Sequence, residues 1–202
     1  MSTTMSTSPG SIDLAPSADR IGRLIARVTD DQLDGPTPCE GRSVRQLLGH
    51  VVGLSAAFRA AAEKDFGPLT DTDPGSAGWP DAEADWRERL AERLPALVTA
   101  WSPQTAWEGM TRVGGVDLPG KVAGVVGLDE LTLHGWDLAR ATGQDYTCDE
   151  PTARTLLGFV SGFDPAGTPG MFGPAVALDD EAPVFDRVLA RSGRNPRWMP
   201  QR

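Results

Sequence analysis

A chain of 202 residues with 40% hydrophobic content and a formal net charge of −9 is long enough to bury one core without disulfides or oligomerisation. Its pI near 4.7, with Lys121 the only lysine after residue 65, excludes the clustered basic surface that nucleic acids or anionic membranes require. No run approaches the ~20 apolar residues of a membrane helix, and the polar start MSTTMSTSPGS lacks the features of a secretory signal, so the expected location is the cytoplasm.

Residues 1 to 10, rich in Ser, Thr, Pro and Gly, read as a disordered leader, and 11 to 202 as a single helical domain. A first helix is predicted from Ser17 to about Leu33, with Ile21, Leu24, Ile25 and Val28 at helical spacing. Gly35, Pro36 and Pro38 break it. Ser43 with Gln46 forms a capping-box pattern that opens a second helix, whose apolar face carries Val44, Leu47, Leu48, Val51, Leu54 and Phe58. A Gly/Pro/Asp-rich loop over 65 to 80 separates it from a third helix starting near Asp81, which Pro95 should bend. Gly114 and Gly115 mark a turn in an irregular or short hairpin connection. A fourth helix is predicted from Pro119 to Ala141, a fifth from Pro151 to Gly162, and a short one from Ala182 to Arg191. With no sustained strand alternation, the expected architecture is all-α: an up-down four-helix bundle to about residue 163, with a C-terminal extension over 164 to 202.

The chain contains two histidines, and both fall on core-facing positions of predicted helices. On the fourth helix Glu130, His134 and Asp137 sit at i, i+4 and i+7, a polar stripe flanked by Val122, Val125, Val126, Leu131, Leu133 and Leu138. His50 lies between Leu47 and Leu54 on the second helix. Buried charge must be paired or bound to a metal. If the two helices pack together, His50, Glu130 and His134 form the two-imidazole, one-carboxylate set of a zinc site that keeps a fourth position open. Spacing alone equally accommodates a hydrogen-bonded Glu–His pair with His50 an unrelated core residue.

Two segments carry a resemblance. TPCEGRSVRQLLGHVVG and DELTLHGWDLARATGQ, with the ending FGPAVALDDEAPVFDRVLARSGRNP, resemble the actinobacterial branch of the DinB-like metal-binding bundles. This branch is related to the N-terminal domain of mycothiol-dependent maleylpyruvate isomerase. The resemblance implies a divalent metal, commonly zinc, held by His50, Glu130 and His134. It also implies a low-molecular-weight thiol, mycothiol, as cosubstrate for isomerisation or S-transfer on an electrophilic small molecule. A homodimer is compatible with it. The chain departs from the family at Arg42, which replaces a Trp of the turn and alters the rim or charge of the pocket, and in its shorter C-terminal part.

Asp137 is read either as an acceptor orienting a ligand imidazole or as a capping or solvent-facing residue. Trp136 is read as core rather than ligand-stacking, Arg140 as suiting the helix C-terminus rather than binding a substrate carboxylate, and Cys39 as a buried structural thiol rather than a reactive one, since no His or Lys adjoins it in sequence. Acidic neighbours of Cys148 disfavour its thiolate, and the serines, Ser161 included, lack a nucleophile-elbow context. The functional expectation is a metal-dependent thiol transferase or isomerase; the alternative is a metal- or small-ligand-binding bundle without turnover.

Overall fold

The computed structural model describes residues 12–72 and 78–200. The expected leader at 1 to 10 and the part of the 65–80 loop at 73–77 lie outside the described residues. Six helices of two turns or more are present among the described residues: α1 (Ala15–Ile25), α2 (Val44–Glu63), α3 (Trp86–Trp101), α4 (Gly120–Thr142), α5 (Glu150–Val160) and α6 (Val184–Arg191). Short turns fill the connections at Asp30–Gln32, Pro68–Asp71 and Gln104–Trp107.

Local chemistry sets the helix ends. Ser43 Oγ accepts from Gln46 N at 3.2 Å while Gln46 Oε1 accepts from Ser43 N at 3.2 Å, the reciprocal cap that starts α2. Asp149 Oδ1 accepts from Thr152 N at 3.0 Å and opens α5. Helix α4 stops at Gly143, whose φ of 70° is left-handed. Helix α1 ends at Ile25, earlier than its apolar spacing predicts. Thr29 and Gln32 form a cap of their own, which diverts the chain into the Asp30–Gln32 turn.

The chain is mainly helical but not all-α, which corrects the all-helical expectation. Strands β1 (Met110–Val113) and β2 (Val116–Pro119) pair antiparallel, with Met110 opposite Pro119 and Val113 opposite Val116. The turn needs positive φ at both central residues, and Gly114 and Gly115 supply 61° and 77°. Thr111 Oγ1 donates to Ala61 O, tying the hairpin to α2.

Helices α1 and α2 each pack against both α3 and α4, so the four enclose one core that includes Leu47, Leu48, Leu90, Leu97, Leu128 and Leu131. Each of these buried leucines stabilises the fold by ~2 kcal/mol. Helix α5 packs on α4 and on α6. As a result α4 is buried on all sides from Gly127 to Ala139, Glu130 being the one half-buried position in that stretch. Val122, expected to flank the polar stripe in the interior, is 41% exposed, whereas Gly120 and Ala123 of the same turn are buried. No helix among the described residues is long and apolar enough to cross a membrane.

Candidate metal centre

The packing of α2 on α4 brings the two histidines and the glutamate together. Glu130 Oε2 lies 3.0 Å from His134 Nε2 and 3.5 Å from His50 Nε2. One ligand atom from each of the three residues falls within 4.8 Å of the other two. Zinc bonds of about 2.0–2.2 Å in a tetrahedral set separate neighbouring ligand atoms by roughly 3.3–3.6 Å, close to the 3.0 and 3.5 Å from Glu130 Oε2 to the two imidazole nitrogens. These residues therefore fit a divalent cation.

The far nitrogen of His134 fixes which atom faces this cluster. His134 Nδ1 pairs with Asp137 Oδ2 at 3.0 Å, and Asp137 is completely buried. A neutral imidazole donating from Nδ1 presents its Nε2 lone pair to Glu130. Two lone-pair-bearing atoms 3.0 Å apart need a positive species between them, either a proton or a metal ion. Asp137 is thus an orienting acceptor, not a solvent-facing or capping residue.

Asp137 is itself held by three other contacts. Arg194 grips it in a fork, Nε to Oδ1 at 2.9 Å and Nη2 to Oδ2 at 2.8 Å, and Cys39 Sγ donates to Oδ2 at 3.0 Å. Burial opposes charge on Asp137, but Arg194 and His134 outweigh it and hold its pKa far below the usual carboxylate range. Glu130 follows the same logic: burial raises it, and the hydrogen bonds from His134 and His50 bring it well below its ordinary value. Burial likewise opposes charge on His134, yet Asp137, Cys39 and Glu130 raise its pKa well above that of a free imidazole. His50 moves down, chiefly through burial, despite its bond to Glu130. All these shifts describe the cluster without a metal.

Trp79 completes the inner wall. Its ring stacks on His50 with centroids 4.1 Å apart and planes 1° from parallel, and it meets His134 edge-on at 5.3 Å. Gly49 allows this: a Cβ there would lie 2.1 Å from Pro80 O, so only a glycine lets the segment after Trp79 rest on α2. Ala82 N then donates to Arg45 O at 3.1 Å. Arg42 lies over the outer face of Trp79, 5.4 Å from the ring centroid, so the residue that departs from the family turn does sit on the pocket rim.

The site opens into a cleft of about 560 Å³ whose far wall is the Thr168–Pro174 loop and Ser192–Arg194. Gly193, at φ 82°, and Gly173 touch backbone to backbone, an approach that a Cβ on Gly193 would block at 2.9 Å. This contact delivers Arg194 to Asp137. Sequence reasoning missed Arg194, Trp79 and Asp129, and it favoured a structural over a reactive thiol at Cys39 without seeing what surrounds it. Cys39 instead lines the cleft, with Sγ 3.9 Å from both His134 Nδ1 and Arg194 Nη2. Asp129, also on the cleft, is pushed up to about 8 by burial and by its neighbour Glu130. Its signal was legible, since a second carboxylate beside Glu130 on a buried helix obeys the argument that singled out Glu130. Trp136 is core, and burial with the Asp149 charge pushes Cys148 up to about 12, as the sequence suggested, while Arg140 donates to Trp198 O, a contact the sequence did not suggest.

A helical core with an internal His–Glu–His cluster, one imidazole backed by a buried carboxylate, defines the class: a helical domain built around an interior polar site. Residues 14–139 match the family described as the mycothiol maleylpyruvate isomerase N-terminal domain, and the chain belongs to that family. It is 32% identical over 192 residues to the uncharacterized proteins MT0763 and Rv0738 of two Mycobacterium tuberculosis strains, covering 89% of this chain and 94% of each relative. Its fold is similar to the crystal structure of the mycothiol-dependent maleylpyruvate isomerase, with a TM-score of 0.56 and 18% identity. That match covers 73% of this chain and 66% of the isomerase, so the chain spans about two thirds of that enzyme's length.

Proposed function

We propose that His50, Glu130 and His134 bind one divalent metal, zinc in first place, and that residues 11–202 act as one DinB-like domain of the up-down four-helix type. Its activity is a mycothiol-dependent transfer or isomerisation on a small electrophile in the cytoplasm. The observation that carries this reading is the pair of Nε2 atoms and one carboxylate oxygen converging at the floor of an open cleft, with His134 pre-oriented by Asp137. A divalent cation held there supplies the charge that turns a thiol into a thiolate at neutral pH. The chain does the rest: Asp137 keeps the His134 proton on Nδ1, Trp79 shields the imidazole faces from water, and the 168–174 loop bounds the space left for ligand.

One observation favours the alternative of a metal- or ligand-binding domain without turnover. Arg194, the buried cation of the cleft, is fully engaged by Asp137, Ser192 and Cys39 and is not free to hold an acidic substrate. Elemental analysis should give close to one metal per chain, falling sharply in His50→Ala and His134→Ala. Cobalt-loaded protein should then develop a sulfur-to-metal charge-transfer band with mycothiol and convert a panel of electrophiles. Full metal occupancy in both variants ends the metal assignment, and a thiol band without turnover selects the alternative.

A further inference from the structure

Asp129 precedes Glu130 on α4, is 4% exposed, and lines the cleft, yet its Oδ1 has no hydrogen-bond partner among the described residues. The charged groups nearby are committed elsewhere. Glu130 faces the two imidazoles, and Arg194 gives its N–H groups to Asp137, Ser192 and Cys39. Two further buried polar atoms lack partners, Arg20 Nη1 and Gln144 Oε1, but neither residue lines the cleft. Both also belong to side chains paired through another atom, with Asp149 and Thr142 respectively. An orphaned carboxyl in the interior works against folding, and an apolar residue of similar size would be more stable there. A carboxyl kept under those conditions in a residue that lines a cavity is explained by a partner that arrives with the ligand.

We infer that Asp129 is a ligand anchor whose carboxyl accepts hydrogen bonds from O–H or N–H donors of the molecule filling the cleft. It thereby selects a thiol bearing hydroxyl and amide groups over a plain alkyl thiol. The inference rests on the thiol reading above and adds what the rest of that thiol must offer. A carboxyl oxygen without a partner accepts a hydrogen bond from an O–H or N–H donor and gains nothing from a plain alkyl chain. The cleft, at about 560 Å³, has room for far more than a sulfur and a few carbons. Thr168 adds a polar side chain to the same wall.

The test uses full-length, cobalt-loaded wild type, Asp129→Leu and Asp129→Asn, each titrated with mycothiol and with 1-propanethiol while the charge-transfer band is followed. Mycothiol affinity should fall about tenfold or more in Asp129→Leu and by less in Asp129→Asn, which retains an acceptor oxygen. Propanethiol affinity should be the same in all three proteins. Ligand-free melting temperatures should equal or exceed wild type in both variants, whereas an aspartate needed only for folding would lower them. Unchanged mycothiol affinity in Asp129→Leu, or an equal loss for both thiols with a lower melting temperature, overturns the anchor. If wild type gives no band with either thiol, the thiol reading fails and takes the anchor with it.

Discussion

Replacing Arg194 with Leu would test whether the C-terminal segment is part of the site. The substitution keeps much of the aliphatic stem but removes two of the four contacts to Asp137, including its only permanently positive partner. Asp137 is completely buried, so water cannot replace what is lost. Removing one partner of a buried ion pair costs about 3–5 kcal/mol. In a domain of this size each kcal/mol shifts the melting temperature by ~2–4 °C, so the drop should be roughly 6–20 °C. A loosened Asp137 no longer fixes the His134 ring, and metal affinity should weaken by about 10- to 100-fold, as for other partners of metal-ligating histidines. Thermal melts and competition with a metal-binding dye read the two effects separately. The double variant Arg194→Leu with Asp137→Asn should recover stability relative to Arg194→Leu alone but not metal affinity. A stability loss below about 1 kcal/mol together with wild-type metal affinity would refute the argument.

Gly49→Ala should push the Trp79–Ala82 segment off α2, because the new Cβ would stand 2.1 Å from Pro80 O. The expected cost is ~1–3 kcal/mol, and the ring-current shift of the His50 protons should collapse; an unchanged His50 spectrum would count against the packing described. Asp149 is held down to about 2 because hydrogen bonds from Arg20 and Thr152 overcome the effect of burial. Its folded pKa is depressed, so its contribution is present above the unfolded value of ~3.9 and is lost as pH falls toward 2. Asp149→Asn, which preserves the cap, should be less stable by ~0.5–1 kcal/mol at pH 7, since the carboxylate is partly exposed, with the difference vanishing in acid melts near pH 2. Chelation should lower the melting temperature while leaving most helical circular dichroism intact, because the leucine core closes without help from the site. Complete unfolding would assign the metal a structural role.

Periodicity and capping chemistry made the helices legible: Ser43 with Gln46 starts α2, Gly143 ends α4, and Gly114-Gly115 turns the hairpin. The same regularity placed Glu130 and His134 one turn apart, and convergence with His50 required only that α2 pack on α4. Trp79 and Arg194 were not legible, because loops put them there. Their positions depend on backbone approaches at Gly49 and Gly193, and no local spacing encodes what a glycine will touch. The surroundings of Cys39 were hidden for a related reason. Its relevant neighbours, Asp137 and Arg194, are 98 and 155 residues away along the chain.

The site divides its labour between two kinds of backbone. The three candidate ligands stand on α2 and α4, inside the helical core, where a shift in either helix would disturb many packed leucines. The cleft wall is made largely of connecting segments: the turn bearing Cys39 and Arg42, Trp79, the 168–174 loop and the Ser192–Arg194 bend. Mutation can therefore reshape the wall without moving the candidate ligands, and descendants of one ancestral chain can inherit the same polar centre while diverging in what they admit to it. Relatives that share the histidines and the glutamate should accordingly be sorted by their loops when substrates are assigned, and an assignment made on the ligand motif alone will group together proteins that handle different molecules.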